Sequence, residues 1–177
     1  MGKLFLAGFI FLFAESCKKG EASVQNFQQG DAIIRIDSAI AVQQAFNEIN
    51  GFGLAVAEVS GYVYTTTIPA DSISYIADVL NSKKYIHKGS FSANVFPYYL
   101  TKVVYSASLL RNMTIQNQQD LIATQNLLRM TDDLSSTKYM LLKVPTGQEE
   151  YWKNKFQTLS WAKWTELNYS AKINLGI

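Results

Sequence analysis

The chain has 177 residues, of which 48% are hydrophobic and 17% are charged, and its formal net charge at pH 7 is +2. This length suits one ordinary domain or two very small ones, and the composition is that of a globular protein rather than a disordered one. The balanced charge excludes the strongly basic footprint of a nucleic-acid-binding protein. A single cysteine excludes an internal disulfide, so a hydrophobic core must hold the fold together.

The N-terminus predicts an export signal. Lys3 precedes an uninterrupted apolar run at residues 4–14, and Cys17, the single cysteine of the chain, follows shortly afterwards. A helix of this run would span roughly 16 Å, about half of the ~30 Å core of a bilayer. The run therefore favours a signal peptide over a transmembrane helix.

The stretch Ser16-Cys17-Lys18-Lys19, placed directly after an apolar run, resembles lipoprotein signals of the Bacteroidetes type. The resemblance implies cleavage before Cys17, loss of residues 1–16, and a lipid on Cys17 that anchors the protein in the cell envelope, at the bacterial outer membrane. The alternative is an ordinary secretory signal in which Cys17 has no role. Residues 17–30 are polar and aperiodic, which predicts a lipidated tether ahead of a fold that begins near Asp31.

Hydrophobic periodicity predicts a β-α-β-β-α-β order in the first half of the folded part. The predicted elements are a strand at 33–36, a helix capped by Asp37 or Ser38, strands at 54–59 and 62–68 joined by a Ser60-Gly61 turn, a helix capped by Asp71 or Ser72, and a strand-like region at 84–95. The first helix should bury Val42, Ala45, Phe46 and Ile49.

The second half predicts the same order if a weak strand lies near Leu134. Its predicted elements are a strand at 103–110, a helix capped by Asn117, a strand at 138–144, a helix opened by a Thr146–Glu149 capping box, and a strand at 161–169. The core side chains expected on the four helices are Phe46, Ile76, Ile122 and Trp152.

The two halves resemble each other at a shift of 76 residues, which places Ile68-Pro69 on Val144-Pro145 and Tyr85 on Trp161. Similarity at a fixed period indicates a duplicated unit. The sequence therefore predicts an α+β protein with two tandem ferredoxin-like units, at 31–98 and 99–177, each an antiparallel sheet covered on one face by two helices.

Few residues could support catalysis. His87 is the only histidine, and no spacing of His, Cys and carboxylates suggests a metal site. Phosphate-binding and nucleophile motifs are absent from the sequence. Glu149-Glu150 falls in the first turn of a predicted helix, where acidic residues stabilise the helix dipole. We therefore expect no enzymatic activity, no metal and no cofactor.

Aromatic side chains are the remaining candidates for a binding site. Trp161 and Trp164 lie three residues apart in a predicted strand, so they should point to opposite faces, with one of them in the core. Exposed aromatic platforms bind sugars or peptides, whereas buried ones fill the core. The candidates for exposed aromatics are Tyr62, Tyr64, Tyr98, Tyr99 and Trp164.

Residues 142–169 carry a second resemblance. Val144, Pro145 and Gly147, followed by Glu166, Asn168 and Tyr169, resemble subtilisin-type propeptides, which commonly show a strand ending in Val-Pro-x-Gly, a helix, and then Val-x-Tyr-Ala-Glu-Pro-Asn-Tyr. In that family a β-α-β-β-α-β domain caps a serine protease, and the segment after its last strand lies in the active-site cleft as a slow inhibitor. The resemblance implies a protease-binding tail formed by Ser170, Ala171, Lys172, Ile173, Asn174 and Leu175.

These features together predict a non-catalytic binding protein that is held on the lipid membrane through acylated Cys17. Two alternatives stay open. One is a propeptide-like inhibitor of a subtilase-like protein, and the other is a surface lipoprotein that captures glycans through exposed Tyr and Trp side chains.

Overall fold

The computed structural model describes residues 27–86, 94–98, 102–133 and 136–169, without the side chains of residues 62, 70, 94–98 and 102–109. The predicted signal and tether ahead of residue 27, His87, Tyr99 and the tail from Ser170 onward lie outside the described residues. No helix in the described ranges is long and apolar enough to cross a membrane.

The protein is of the mixed α+β class, as predicted. Its strands and helices in chain order are β1 (Phe27–Ile36), α1 (Val42–Gly51), β2 (Ala55–Thr66), a short 3₁₀ turn (Ala70–Ser72), α2 (Ile73–Asn81), β3 (Asn94–Tyr98), β4 (Lys102–Arg111), α3 (Ile115–Leu127), β5 (Met130–Asp132), β6 (Lys138–Lys143), α4 (Glu149–Gln157) and β7 (Ala162–Tyr169).

The strands form one antiparallel sheet in the order β3-β4-β2-β6-β1-β7, with β5 pairing the C-terminal end of β2. The prediction of two separate sheets is therefore wrong. β1, from the first half of the chain, pairs with β6 and β7 from the second half, and β2 pairs with β4 and β6. A unit of about 70 residues is marginal for burying a hydrophobic core. Joining the two halves in one sheet gives them a larger, shared core.

Each of the four described helices crosses over a strand from the other half of the chain. α2 connects β2 to β3, and β4 lies between these two strands. α1 connects β1 to β2, and β6 lies between these two strands; α4 connects β6 to β7 with β1 between them. α3 connects β4 to β5 across β2 in the same way. These are split β-α-β connections, and they interlock the two halves of the chain.

The elements themselves recur at the shift of 76 residues. The shift carries Ile73–Asn81 onto Glu149–Gln157, the bounds of α2 and α4, and moves Phe27–Ile36 to within one residue of β4. It also places α1 within α3 and β2 over β5 and β6. The repeated pattern read from the sequence therefore matches repeated secondary structure.

One continuous core lies between the sheet and the helices. α1 buries the four residues predicted for it, and α2 contributes Ile76 and Leu80. Phe46 and Ile76 are buried as expected, whereas Ile122 and Trp152 are only half-buried against the core. The difference arises because α3 and α4 bury other positions of their faces, among them Leu121 and Phe156.

The predicted turn at Ser60-Gly61 is wrong, because β2 continues through it as a single strand of 12 residues. Gly61 has a positive φ of 77° and lies against the backbone of Thr137. A glycine with positive φ is as compatible with an irregularity inside a strand as with a hairpin turn, and the sequence does not distinguish the two.

The predicted caps of α1, α3 and α4 are wrong. The N-cap residue of α1 is Ala41, not Asp37 or Ser38. Thr114, not Asn117, caps α3, and its hydroxyl accepts a hydrogen bond from the Asn117 amide. α4 begins at Glu149 without the predicted capping box; the Glu149 carboxylate instead accepts a hydrogen bond of 2.8 Å from the Gly30 amide of β1. This bond, with the amides of Glu149 and Gly147, lowers the pKa of Glu149 below its ordinary value.

Candidate functional site: the open face of the sheet

Among the described residues, helices cover one face of the sheet and leave the other face open. Side chains along β1, β6 and β7 point to the two faces in alternation. Ile34, Met140 and Leu167 point into the core, whereas their strand neighbours are half-buried or exposed. We use the name open face for the set of residues Glu58, Ser60, Asp31, Ile33, Arg35, Tyr139, Leu141, Lys143, Trp164, Glu166 and Asn168.

The strand register arranges eight of these residues in two rows across the sheet, with Asp31, Lys143 and Asn168 beyond the second row. In the first row, Arg35 lies opposite Tyr139 on one side and Trp164 on the other, and Tyr139 lies opposite Ser60. Directly opposed side chains in antiparallel strands have Cβ atoms about 4.5–5.5 Å apart. The Arg35 side chain therefore emerges between two aromatic side chains.

The second row is apolar at its centre and acidic at its ends. Ile33 lies opposite Leu141 and Glu166, and Leu141 lies opposite Glu58. Between the rows runs a groove of about 370 Å³, lined by Ile33, Glu58, Ser60, Tyr139, Leu141, Trp164 and Asn168. The groove thus has aromatic and aliphatic walls together with carboxylate, hydroxyl and amide groups.

Most charges at the margin of the open face are paired. The Arg111 guanidinium lies 3.1 Å from the Glu58 carboxylate, and the Lys143 ammonium lies 2.5 Å from Asp31, which also accepts a hydrogen bond from Asn168. Arg35 is exposed and forms no ion pair within the part of the chain that the structure describes. Its guanidinium is therefore available to a ligand.

Arg35, which lies between two aromatic residues of the groove, itself lines a second, polar pocket of about 390 Å³ at the end of β1, together with Asp37, Ser38, Ser136, Thr137 and Lys163. The Lys163 ammonium lies 2.7 Å from the Asp37 carboxylate. The hydrogen bond from Lys163, followed by that from the Ala39 amide, lowers the pKa of Asp37. Arg35 thus stands where the apolar groove meets a pocket of hydroxyl and charged groups.

The structure places the candidate binding residues chosen from the sequence in different environments. Trp164 is 43% exposed on the open face, whereas Trp161 is buried and donates a hydrogen bond of 2.6 Å to Glu48. Tyr64 is 1% exposed, so its assignment as an exposed aromatic is wrong: it lies on the helix-covered face. The side chains of Tyr62 and Tyr98, and all of Tyr99, Cys17 and the tail 170–175, lie outside what the structure describes.

Two residues of the first row were missed by the sequence reasoning, namely Arg35 and Tyr139, which is 37% exposed. The alternation of β6 was recognisable, but nothing in it indicated which side of the strand would lack a helix. Within the described ranges, no group of three or more His, Cys, Asp or Glu residues is placed to hold a metal ion.

In comparisons with protein-family models, with curated proteins and with solved structures, nothing matches this chain.

Proposed function

We propose that this chain is a lipid-anchored, non-catalytic binding protein of the bacterial cell envelope, and that the open face is its protein-binding surface. The observation that carries the proposal is the row of Tyr139, Arg35 and Trp164 beside an apolar groove. Tyr, Trp and Arg are the residue types most enriched among the residues that dominate binding energy at protein interfaces. Three of them side by side on the open face form the centre of such an interface.

The charges around the row support a protein ligand. The margin carries paired charges, Arg111 with Glu58 and Lys143 with Asp31, which resembles the polar rim of an interface. The centre carries Arg35, which forms no ion pair with another described residue and whose planar guanidinium suits bidentate hydrogen bonds to a partner carboxylate. A protein segment with an acidic residue next to apolar ones fits this arrangement.

We predict that Trp164→Ala weakens partner binding at least about thirtyfold, because interface tryptophans commonly contribute about 2 kcal/mol or more. The measurement is quantitative affinity capture of envelope proteins by the full chain. Tyr151→Ala is the matched control, because Tyr151 is a more exposed aromatic on α4, away from the open face. Equal capture by the Trp164 variant and the unchanged chain would exclude the open face as the binding surface.

For the anchor, we predict that Cys17→Ser releases the protein from the membrane fraction into the soluble fraction. A single acyl chain holds a protein only marginally, whereas a diacylated cysteine with a further chain anchors it stably. Cell fractionation followed by detergent partitioning measures the shift. If the serine variant still partitions with the membrane, the lipoprotein proposal fails whatever the open face binds.

A glycan ligand is the second candidate for the same surface. Its support is the hydrogen-bonding lining of the groove, where Glu58, Ser60 and Asn168 line the same groove as the exposed Trp164. Binding of purified envelope polysaccharides that is lost in Trp164→Ala, without loss of any captured protein, would favour this candidate over a protein partner.

A subtilase inhibitor is supported by the placement of the resembling residues. Residues 142–169 begin within β6 and include α4 and β7, a complete helix and strand directly followed by the tail. Inhibition of a subtilase by the full chain, with loss of inhibition on removal of residues 170–177, would distinguish this candidate from the other two.

For the scaffold, we infer two interlocked ferredoxin-like units in place of the tandem pair. β1, α1, β2, β6, α4 and β7 would form one unit, with the sheet order β2-β6-β1-β7. β2, α2, the isolated bridge at Ile86, β4, α3 and β5 would form the other, with β2 shared. The support is the set of split connections, the bridge between Ile86 and Leu110, and the 76-residue recurrence of the elements.

A further inference from the structure

A trench runs between α1 and α3 on the helix layer, on the other side of the sheet from the open face. It has a volume of about 350 Å³, within the range of ligand-binding clefts. Its polar lining consists entirely of side-chain amides, namely Gln43, Asn47, Asn50, Gln118, Gln119 and Asn126. A smaller pocket of about 200 Å³ shares Gln43, Ile122 and Asn126 with it, which makes the depression elongated.

The lining repeats across the trench. The shift of 76 residues carries Gln43 onto Gln119 and Asn50 onto Asn126, so the two helices present the same amides. These identities stand out because few residues are identical between the two halves of the chain. The trench therefore offers equivalent hydrogen-bonding groups along both of its sides.

The residues that line the trench are uncharged, and Asp132, the one charged residue lining the adjoining smaller pocket, is paired with the Lys138 ammonium. α1 and α3 carry one charged residue each, and both are engaged elsewhere: Glu48 accepts a hydrogen bond from Trp161, and Asp120 lies 3.0 Å from the Lys83 ammonium. An exposed helix surface normally carries many charges, and depletion of charge is the compositional mark of an interface centre.

Part of the amide lining is held in place. The Asn50 amide donates to the Gln118 carbonyl oxygen at 2.7 Å, and the Gln118 amide donates to the Met113 backbone carbonyl at 2.7 Å. Gln118 is buried by these contacts. The bonds fix which end of the Asn50 amide is the donor, so its Oδ1 atom remains a preorganised acceptor.

Apolar groups complete the lining. Ile115 at the start of α3 is 59% exposed, and Ile122 is half-buried beside Phe46 in the trench. A ligand that satisfied the amides alone would leave these side chains in water. The lining therefore favours a ligand in which hydrogen-bonding groups alternate with small apolar ones.

We propose that this trench binds an extended, uncharged peptide segment of another protein, chiefly through its main chain. A peptide group offers one N–H donor and one C=O acceptor, and the Asn or Gln amide provides the complementary pair. Main-chain hydrogen bonds supply affinity in the recognition of extended peptides, and pockets for alternate side chains supply the selectivity. Ile115 and Ile122 would contact those side chains.

The test uses the full-length chain in detergent micelles and a dye-labelled, blocked octapeptide, Ala-Asn-Val-Ser-Ala-Asn-Val-Ser, followed by fluorescence anisotropy. A labelled maltoheptaose is the second probe, because a neutral sugar also exchanges hydrogen bonds with amides. Main-chain recognition tolerates varied sequences, so this generic peptide is expected to bind saturably. Gln43→Ala/Gln119→Ala/Asn126→Ala removes three exposed trench amides and should weaken binding about tenfold or more.

The control variant is Gln44→Ala/Gln116→Ala, which removes two exposed amides of the same helices that do not line the trench. It should bind the peptide like the unchanged chain, as should Trp164→Ala on the open face, which separates this inference from the proposed function. The proposal is overturned if the peptide shows no saturable binding, if the triple variant binds it undiminished, or if the sugar alone binds in the trench.

Discussion

Asp132→Asn is expected to lower the free energy of unfolding by about 3–5 kcal/mol, the usual effect of breaking a buried ion pair. The Lys138 side chain is fully buried, and its ammonium lies 3.3 Å from the Asp132 carboxylate. Asparagine would keep the size of the side chain but remove a negative charge that lies beside the buried ammonium. The same carboxylate, on β5, accepts a hydrogen bond from the Val42 backbone amide and so caps the N-terminus of α1.

Urea denaturation of the purified chain measures the loss. Asp120→Asn is the matched control, because it breaks a pair of Asp120 with Lys83 that is partly exposed to solvent. Such pairs contribute about 0–1 kcal/mol. A loss in the Asp132 variant no larger than that of the control would contradict the assigned role. Adding Lys138→Met to the variant should recover part of the stability, because the buried charge is then absent.

Gly61→Ala is expected to cost about 2–5 kcal/mol. A non-glycine residue in the left-handed region costs about 1–2 kcal/mol, and Gly61 has a φ of +77°. In addition, a Cβ atom at this position would collide with the carbonyl oxygen of Thr137, which belongs to the backbone and has little room to move. Overpacking of this kind typically adds about 1–3 kcal/mol.

Gly53→Ala separates the two contributions. Gly53 also has a positive φ, of 72°, but a Cβ atom there would meet no other atom within 4 Å. Its replacement should therefore cost only the conformational part, about 1–2 kcal/mol. Equal losses of stability at the two glycines, measured by thermal and urea unfolding, would show that Thr137 yields to the added methyl group.

The close contact at Gly61 connects the fold to the repeat. Gly61 and Thr137 are themselves 76 residues apart, and they meet where β2 runs antiparallel to β6. The two halves of the chain thus touch at positions that the 76-residue shift relates.

The sequence predicted correctly those features that depend only on neighbouring residues, such as which side of a helix or strand is buried. The apolar spacing of Val42, Ala45, Phe46 and Ile49 fits a 3.6-residue period, and α1 buries all four. The opposite faces of Trp161 and Trp164 followed from the geometry of an extended chain. In contrast, Ser60-Gly61 was misread as a turn, because a positive-φ glycine serves bulges and turns alike.

The sequence by itself determined the mixed α+β class, the positions of the four helices, much of the core and the 76-residue recurrence, because these depend on the order of apolar residues along one segment. Tertiary structure alone decided that β1 joins β6 and β7 in one sheet, that Arg35 emerges between Tyr139 and Trp164, and that matching amides of α1 and α3 face one trench. Strand partners and the uncovered side of a sheet depend on contacts between distant segments, and no local period encodes them.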